Sequence, residues 1–174
     1  MPSAVREQLA RQLAPYRRSY PETRWTRPPT WHLTLTFLGS VEPARVPELQ
    51  TLIDTVAVER RPLVVRVDRG GGREHRGDGV GWLALSTGAG TVIETADLVT
   101  ARCPAGITSG GPPKRTPSAH LTVARKADRS VLTALETQAH GPLSVSWEVD
   151  RIELLRSHLE RDGARYVTLH LATM

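Results

Sequence analysis

The stretch Trp31-His32-Leu33-Thr34-Leu35-Thr36-Phe37-Leu38-Gly39 organises the chain, because it returns in part 88 residues later as His120-Leu121-Thr122-Val123-Ala124-Arg125. The chain holds only six histidines, so one His-Leu-Thr would be a weak signal and two are a strong one. Both stretches read as strands, rich in Thr, Leu, Val and Phe. Alternation puts His32, Thr34 and Thr36 on one face and Leu33, Leu35 and Phe37 on the other. In the second copy His120 and Thr122 share a face, and Leu121 and Val123 take the opposite one. Parity puts Arg125 with Leu121 and Val123, so it reaches the His/Thr face only if the strand bends. A polar strand face opposite an apolar one calls for a cleft, ordered water or a ligand.

On either side of these strands, the chain alternates helices and strands. Val5, Leu9 and Leu13 form an apolar stripe, predicting a helix over 3–14 with Ser3 as its N-cap. Residues 18–30 are turn-like, with Trp25 in a short extended piece. Leu49, Leu52, Ile53 and Val56 predict a helix over 46–59. Strands are predicted over 63–67 and 80–85, with five glycines in 69–79 forming a loop or hairpin tip between them. A helix follows over 91–103, then a Pro/Gly-rich loop over 104–117, long enough to suggest function. The strand at 119–124 leads to a helix over 127–139. Two strand segments over 143–155 meet near Asp150, 156–163 turns, and the last strand spans 165–171. A strand starting His-Leu-Thr, then a helix, then further strands, occurs in both halves. The chain is therefore expected to be an α+β domain of two similar lobes.

Composition excludes several classes. With 39% hydrophobic and 24% charged residues the chain is neither fibrous nor disordered throughout. The 23 Lys and Arg outnumber the 18 Asp and Glu, and only Lys114 and Lys126 are lysines, so the excess is arginine, which suits phosphate. Cys103 is the single cysteine, so a disulfide within the chain and a cysteine-based metal cluster are both excluded. No apolar run approaches the length of a membrane span, and no signal-peptide core opens the chain, so a cytoplasmic protein is expected.

Two imidazoles across a cleft suit acid–base chemistry near neutral pH: one takes a proton from an attacking hydroxyl, the other gives one to a leaving oxygen. Two threonine hydroxyls can donate to nonbridging phosphate oxygens. Phosphodiester chemistry without a metal or cofactor follows, and a strained 2′,3′-cyclic phosphate fits it well. Two histidines are too few for a metal site, and His140, His158 and His170 read as surface or structural.

These motifs, with Trp25 and Pro28 before the first and Ile152-Glu153-Leu154-Leu155-Arg156-Ser157-His158-Leu159, Gly163 and Tyr166 after the second, resemble the 2H phosphoesterase superfamily. Within it the chain looks most like the RNA 2′,3′-cyclic phosphodiesterases, also called 2′-5′ RNA ligases. The resemblance runs from about residue 3 to 171. It implies a single domain over 1–174 with two pseudo-symmetric lobes, motifs at 32–35 and 120–123, and two antiparallel sheets around a cleft with helices outside. It implies hydrolysis of a terminal 2′,3′-cyclic phosphate on RNA to a 2′-phosphate. His120 would activate water, His32 would protonate the 3′ oxygen, and Thr34, Thr122 and Arg125 would bind the phosphate. Reversible 2′-5′ joining of RNA, including tRNA halves, is an implied side activity. The alternatives are a small nucleotide cyclic phosphate as substrate, or a non-catalytic protein that binds RNA ends. Trp31 and Phe37 are expected in the core, with stacking on a base as the alternative, and the 69–79 and 104–117 loops against RNA beyond the reacting end, with charged solvent loops as the alternative. Relatives usually open with a strand ahead of the first helix, which this sequence lacks, and carry Pro where Ala119 stands. A monomer is expected, with pairing through an edge left by that strand as the alternative.

Overall fold

A computed structural model describes residues 1–75, 78–107, 114–115, 118–160 and 163–174. They divide into two compact units. The first comprises Met1–Leu33, Val64–Gly88 and His120–Glu148, and the second Thr34–Leu63, Ala89–Ala119 and Val149–Met174.

The first unit opens with α1 (Ser3–Ser19), capped at Pro2 and not at Ser3. The helix outruns the predicted end and passes through Pro15. Proline removes one backbone donor, but burial of the next residue holds the helix together: Tyr16 is fully buried and its hydroxyl donates to the Gly141 carbonyl at 2.6 Å. Leu9 and Leu13 are equally buried, as the stripe predicts. Five antiparallel strands form the sheet of this unit. They are β1 (Arg24–Trp25), β3 (Leu63–His75), β4 (Asp78–Thr87), β6 (His120–Arg125) and β7 (Val145–Val149), in the order β1-β6-β4-β3-β7. Val65, Val67, Leu83, Leu121 and Val123 line its inner side with no exposed surface. The helix α4 (Arg129–Thr137) covers that side, capped by Asp128, whose carboxylate accepts from the Val131 amide at 3.0 Å.

Gly70, Gly71, Gly72 and Gly79 are strand residues, not loop residues. Gly70, Gly72, Gly79 and Gly81 lie under α4 and the turn before it. A β-carbon at Gly70 or Gly79 would collide with the Leu135 or Ala127 carbonyl, and one at Gly72 or Gly81 would come within 2.6 Å of the Leu132 or Leu135 side chain. The composition marks a close helix-to-sheet approach. The hairpin tip of this pair falls at 76–77, outside the described residues.

The second unit is built around α2 (Val46–Val58), which packs Leu49, Leu52, Ile53 and Val56 against Val99 of α3 (Ala89–Ala101) and Ile152, Leu154 and Ala172. Those last three lie on the hairpin of β8 (Arg151–Glu160) and β9 (Gly163–Thr173). β8 continues through the predicted turn at 156–160, because its ladder to β9 pairs every position out to Glu160–Gly163. A second ladder joins β2 (Thr36–Phe37) to β5 (Lys114–Arg115). The architecture is α+β with antiparallel sheets and peripheral helices, as expected, but the sheet of this unit is split into two ladders. The rest of the 104–117 loop, at 108–113 and 116–117, lies outside the described residues. Among the described residues no helix is long and apolar enough to cross a membrane.

Candidate active site

The predicted strand over 31–39 is not continuous. Leu33 forms a lone antiparallel bridge with Leu121, and pairing resumes only at Thr36–Phe37, with β5. The chain therefore changes partner inside the motif, and regular parity fails beyond Leu33. Leu35 and Leu38 pack against the core of the second unit, whereas Phe37 is 61% exposed. The core position expected for Phe37 is thus corrected: a two-residue ladder leaves its ring outside. Thr36 is turned to α3, where its hydroxyl lies 2.9 Å from that of Thr100. Thr34 is half-buried at the start of the second unit.

The first motif is anchored to β6 from both ends. β1 pairs with β6 at Arg24–Arg125 and Trp25–Ala124, and the Thr26 amide donates to the Val123 carbonyl at 2.9 Å. Thr26 Oγ1 donates to the Thr122 carbonyl at 3.0 Å and accepts from Trp31 Nε1 at 2.8 Å. Trp31 is 4% exposed, so it is a core anchor, as expected, and unavailable for stacking. Residues 27–31 make a short excursion around the turn Pro28–Thr30, and Leu33 rejoins the edge of β6 at Leu121.

Leu121 is fully buried on the inner side of the sheet. Its partner Leu33 is the middle residue of the first His-Leu-Thr, so the bridge pairs the centres of the two motifs. His32 Nδ1 lies 2.8 Å from the Thr30 carbonyl. A carbonyl can only accept, so Nδ1 carries hydrogen and Nε2 is the nitrogen that gains or loses a proton.

His120 and Thr122 are half-buried on the outer face, paired with Ala84 and Trp82 of β4. The indole of Trp82 stands 5.5 Å from the His120 ring, centroid to centroid, tilted by 49°. Composition gave no sign of Trp82 as a site residue; the alternation Val80, Trp82, Ala84 against Gly81, Leu83, Leu85 was the available signal. Arg125 also changes sides. Thr122 pairs with Trp82 but Ala124 pairs with Gly81, so the ladder carries a bulge. Val123 and Ala124 are both fully buried, and Arg125, opposite Val80, emerges exposed on the outer face. The bend that sequence parity required is this bulge.

The remaining candidates lie elsewhere. Ser157 and Tyr166 face each other in the β8–β9 ladder. His170 Nε2 meets Asp54 at 2.8 Å, and His140 lies edge-on to Tyr16 and Tyr20, so both have structural partners. His158 is exposed on β8. The Cys103 thiol is pushed above its ordinary value by burial.

A family model for LigT-like phosphoesterases matches residues 1–76. That match spans less than half of the 174 residues. Solved structures share the fold over nearly the whole chain. TT0787 of Thermus thermophilus matches with a TM-score of 0.73 and 23% identity, over 99% of this chain and 93% of its own. Escherichia coli LigT in its apo form matches at 0.71 and 25%, over 99% and 92%. The same protein complexed with 3′-AMP matches at 0.75 and 23%, over 100% and 93%. No curated protein matches the sequence significantly.

Proposed function

We propose that this protein is a phosphoesterase that opens the terminal 2′,3′-cyclic phosphate of RNA to a 2′-phosphate, using His32 and His120 as acid and base. The observation that supports the reading is the Leu33–Leu121 bridge: each leucine is the middle residue of a His-Leu-Thr motif, so the two motifs are paired with each other. A side chain diagonal to another across such a pair lies about 7–8 Å away, room enough for one phosphate between them.

Water attacks phosphorus and His120 takes its proton. The bond from phosphorus to the 3′ oxygen breaks, and Nε2 of His32 gives that oxygen a proton. The product keeps phosphate on the 2′ oxygen and has a free 3′ hydroxyl. The Thr30 carbonyl holds the His32 ring by its Nδ1 hydrogen and fixes its orientation. Thr34, Thr122 and Arg125 bind the nonbridging oxygens, and the exposed Arg125 guanidinium offers them a planar pair of donors. With a 5′ hydroxyl attacking in place of water, the same steps would break the bond to the 3′ oxygen, protonate that oxygen and leave a 2′-5′ bond between two RNA ends. E. coli LigT has been crystallised with 3′-AMP, ATP, NADP+ and phosphate, which supports nucleotide phosphates as ligands of this fold.

The test is incubation with EDTA and an RNA ending in 2′,3′-cyclic phosphate, followed by identification of the terminus. A 2′-monophosphate is expected. A 3′-monophosphate would overturn the assignment of the leaving oxygen, and an untouched cyclic end would overturn the activity.

A further inference from the structure

The outer face of the first unit's sheet extends well past His120. From Arg69 to Arg73, β3 pairs without irregularity with β4: Arg69 with Ala84, Gly71 with Trp82 and Arg73 with Val80. β4 in turn pairs Ala84 with His120, Trp82 with Thr122 and Val80 with Arg125. Paired residues share a face, so Arg69 and Arg73 stand on the same side as His120, Thr122 and Arg125. Arg24 of β1, opposite Arg125, completes the row. None of the positions on this face over 69–73, 80–84 and 120–125 is acidic. Arg69, Arg73 and Arg125 are exposed, and no carboxylate among the described residues pairs with any of the three.

Trp82 links this basic ground to the reacting end. A β-carbon at Gly71 would lie 2.6 Å from Trp82 Nε1 and 3.1 Å from Cε2, so the indole lies over the β3 backbone where a side chain is missing. Its ring also stands 5.5 Å from the His120 imidazole. An aromatic plate flanked by exposed arginines is the chemistry that holds single-stranded nucleic acid: bases stack and guanidinium groups take phosphates. β3 lies two strand spacings, about 10 Å, from β6, within reach of a strand whose end is held between the histidines.

We infer that the outer face of β4 and β3 is a track for the single-stranded RNA that precedes the cyclic end, with Trp82 stacking a base and Arg69 and Arg73 holding phosphates. This rests on the proposed function and names its substrate class: an RNA strand, not a lone cyclic nucleotide. The glycine run is part of the device, since Gly70 and Gly72 let α4 approach one side while Gly71 seats the indole on the other.

The experiment compares kcat/KM on an RNA of about ten nucleotides ending in 2′,3′-cyclic phosphate with that on adenosine 2′,3′-cyclic phosphate. It is run for the wild type, for R69A/R73A, and for R11A/R61A, which removes the same charge from exposed positions off this face. Binding of the same RNA ending in 2′-phosphate is followed against salt. The wild type is expected to prefer the RNA, and R69A/R73A to lose at least about tenfold of that preference. The slope of log affinity against log salt should shrink by about 1.4, two phosphate contacts on a single strand. R11A/R61A should keep both. If both substrates are opened and R69A/R73A keeps its preference and its slope, the track is overturned while the catalytic reading stands. If neither is opened but binding shows the same loss in R69A/R73A, the catalytic reading falls and the track stands. RNA bound no more tightly than the mononucleotide overturns the track.

Discussion

Replacing Gly70 with alanine adds one methyl group under α4. Its carbon would collide with the Leu135 carbonyl and come within 3.0 Å of the Glu136 amide nitrogen. These are backbone atoms inside a helix, so no rotamer change relieves them. Either β3 bends away or α4 lifts, and lifting loosens Val131, Leu132 and Leu135, all buried. Overpacking alone costs about 1–3 kcal/mol, and partial loss of buried leucine contacts pushes toward the upper end. At about 3 kcal/mol and about 2–4 °C per kcal/mol for a chain of this size, Tm should fall by roughly 6–12 °C. Circular dichroism melts of G70A and wild type measure it. G71A is the paired control: its new methyl meets only the end of the Trp82 side chain. It should melt much closer to wild type yet turn over RNA more slowly, because the displaced indole neighbours His120. A G70A protein that melts within a degree of wild type would refute the close packing of helix on sheet.

Tyr16→Phe removes the donor to the Gly141 carbonyl and should destabilise by about 1 kcal/mol, read from urea unfolding. The Asp128 carboxyl is held below its ordinary value, first by the Ser130 hydroxyl and then by the Val131 amide. A depressed folded value means its stabilisation is complete above the ordinary value near 3.8 and is lost as pH falls below it. Asp128→Asn should therefore differ from wild type in Tm at neutral pH and converge with it on the acid side, and a constant difference down to pH 2 would contradict the cap. Arg125→Ala should raise KM for cyclic-ended RNA and flatten the salt dependence by about one phosphate contact, since the bulge brings the guanidinium to the histidine face; an unchanged KM would return it to the surface.

Much of this was legible in the residues. The 3.6-residue stripes of α1 and α2 and the repeated His-Leu-Thr reported helices and motif because burial imposes those periods directly. What the sequence hid were departures from regular pairing. Arg125 is placed by a bulge, and a bulge adds one residue without any compositional mark. Leu33 and Phe37 look alike in an alternating run, but the chain leaves β6 after Leu33 and pairs with β5 by Phe37, so one is bridged to Leu121 and the other exposed. The triple glycine suggested a loop because glycine usually marks turns; here it marks clearance for α4 and Trp82, which depends on residues some sixty positions away in one case and eleven in the other. Trp82 itself was hidden for the same reason: its role comes from its neighbour across the ladder.

The central claim is that His32 and His120 act on one phosphate as a single device. A double-mutant cycle of kcat/KM on cyclic-ended RNA tests it, with His32→Ala, His120→Ala and the pair. Each single change should cost at least about a hundredfold, and the pair should cost little more than the worse single, because an acid without its base has little left to contribute. Wild-type turnover in either single variant, or losses that multiply as if the two rings worked independently, would contradict the account.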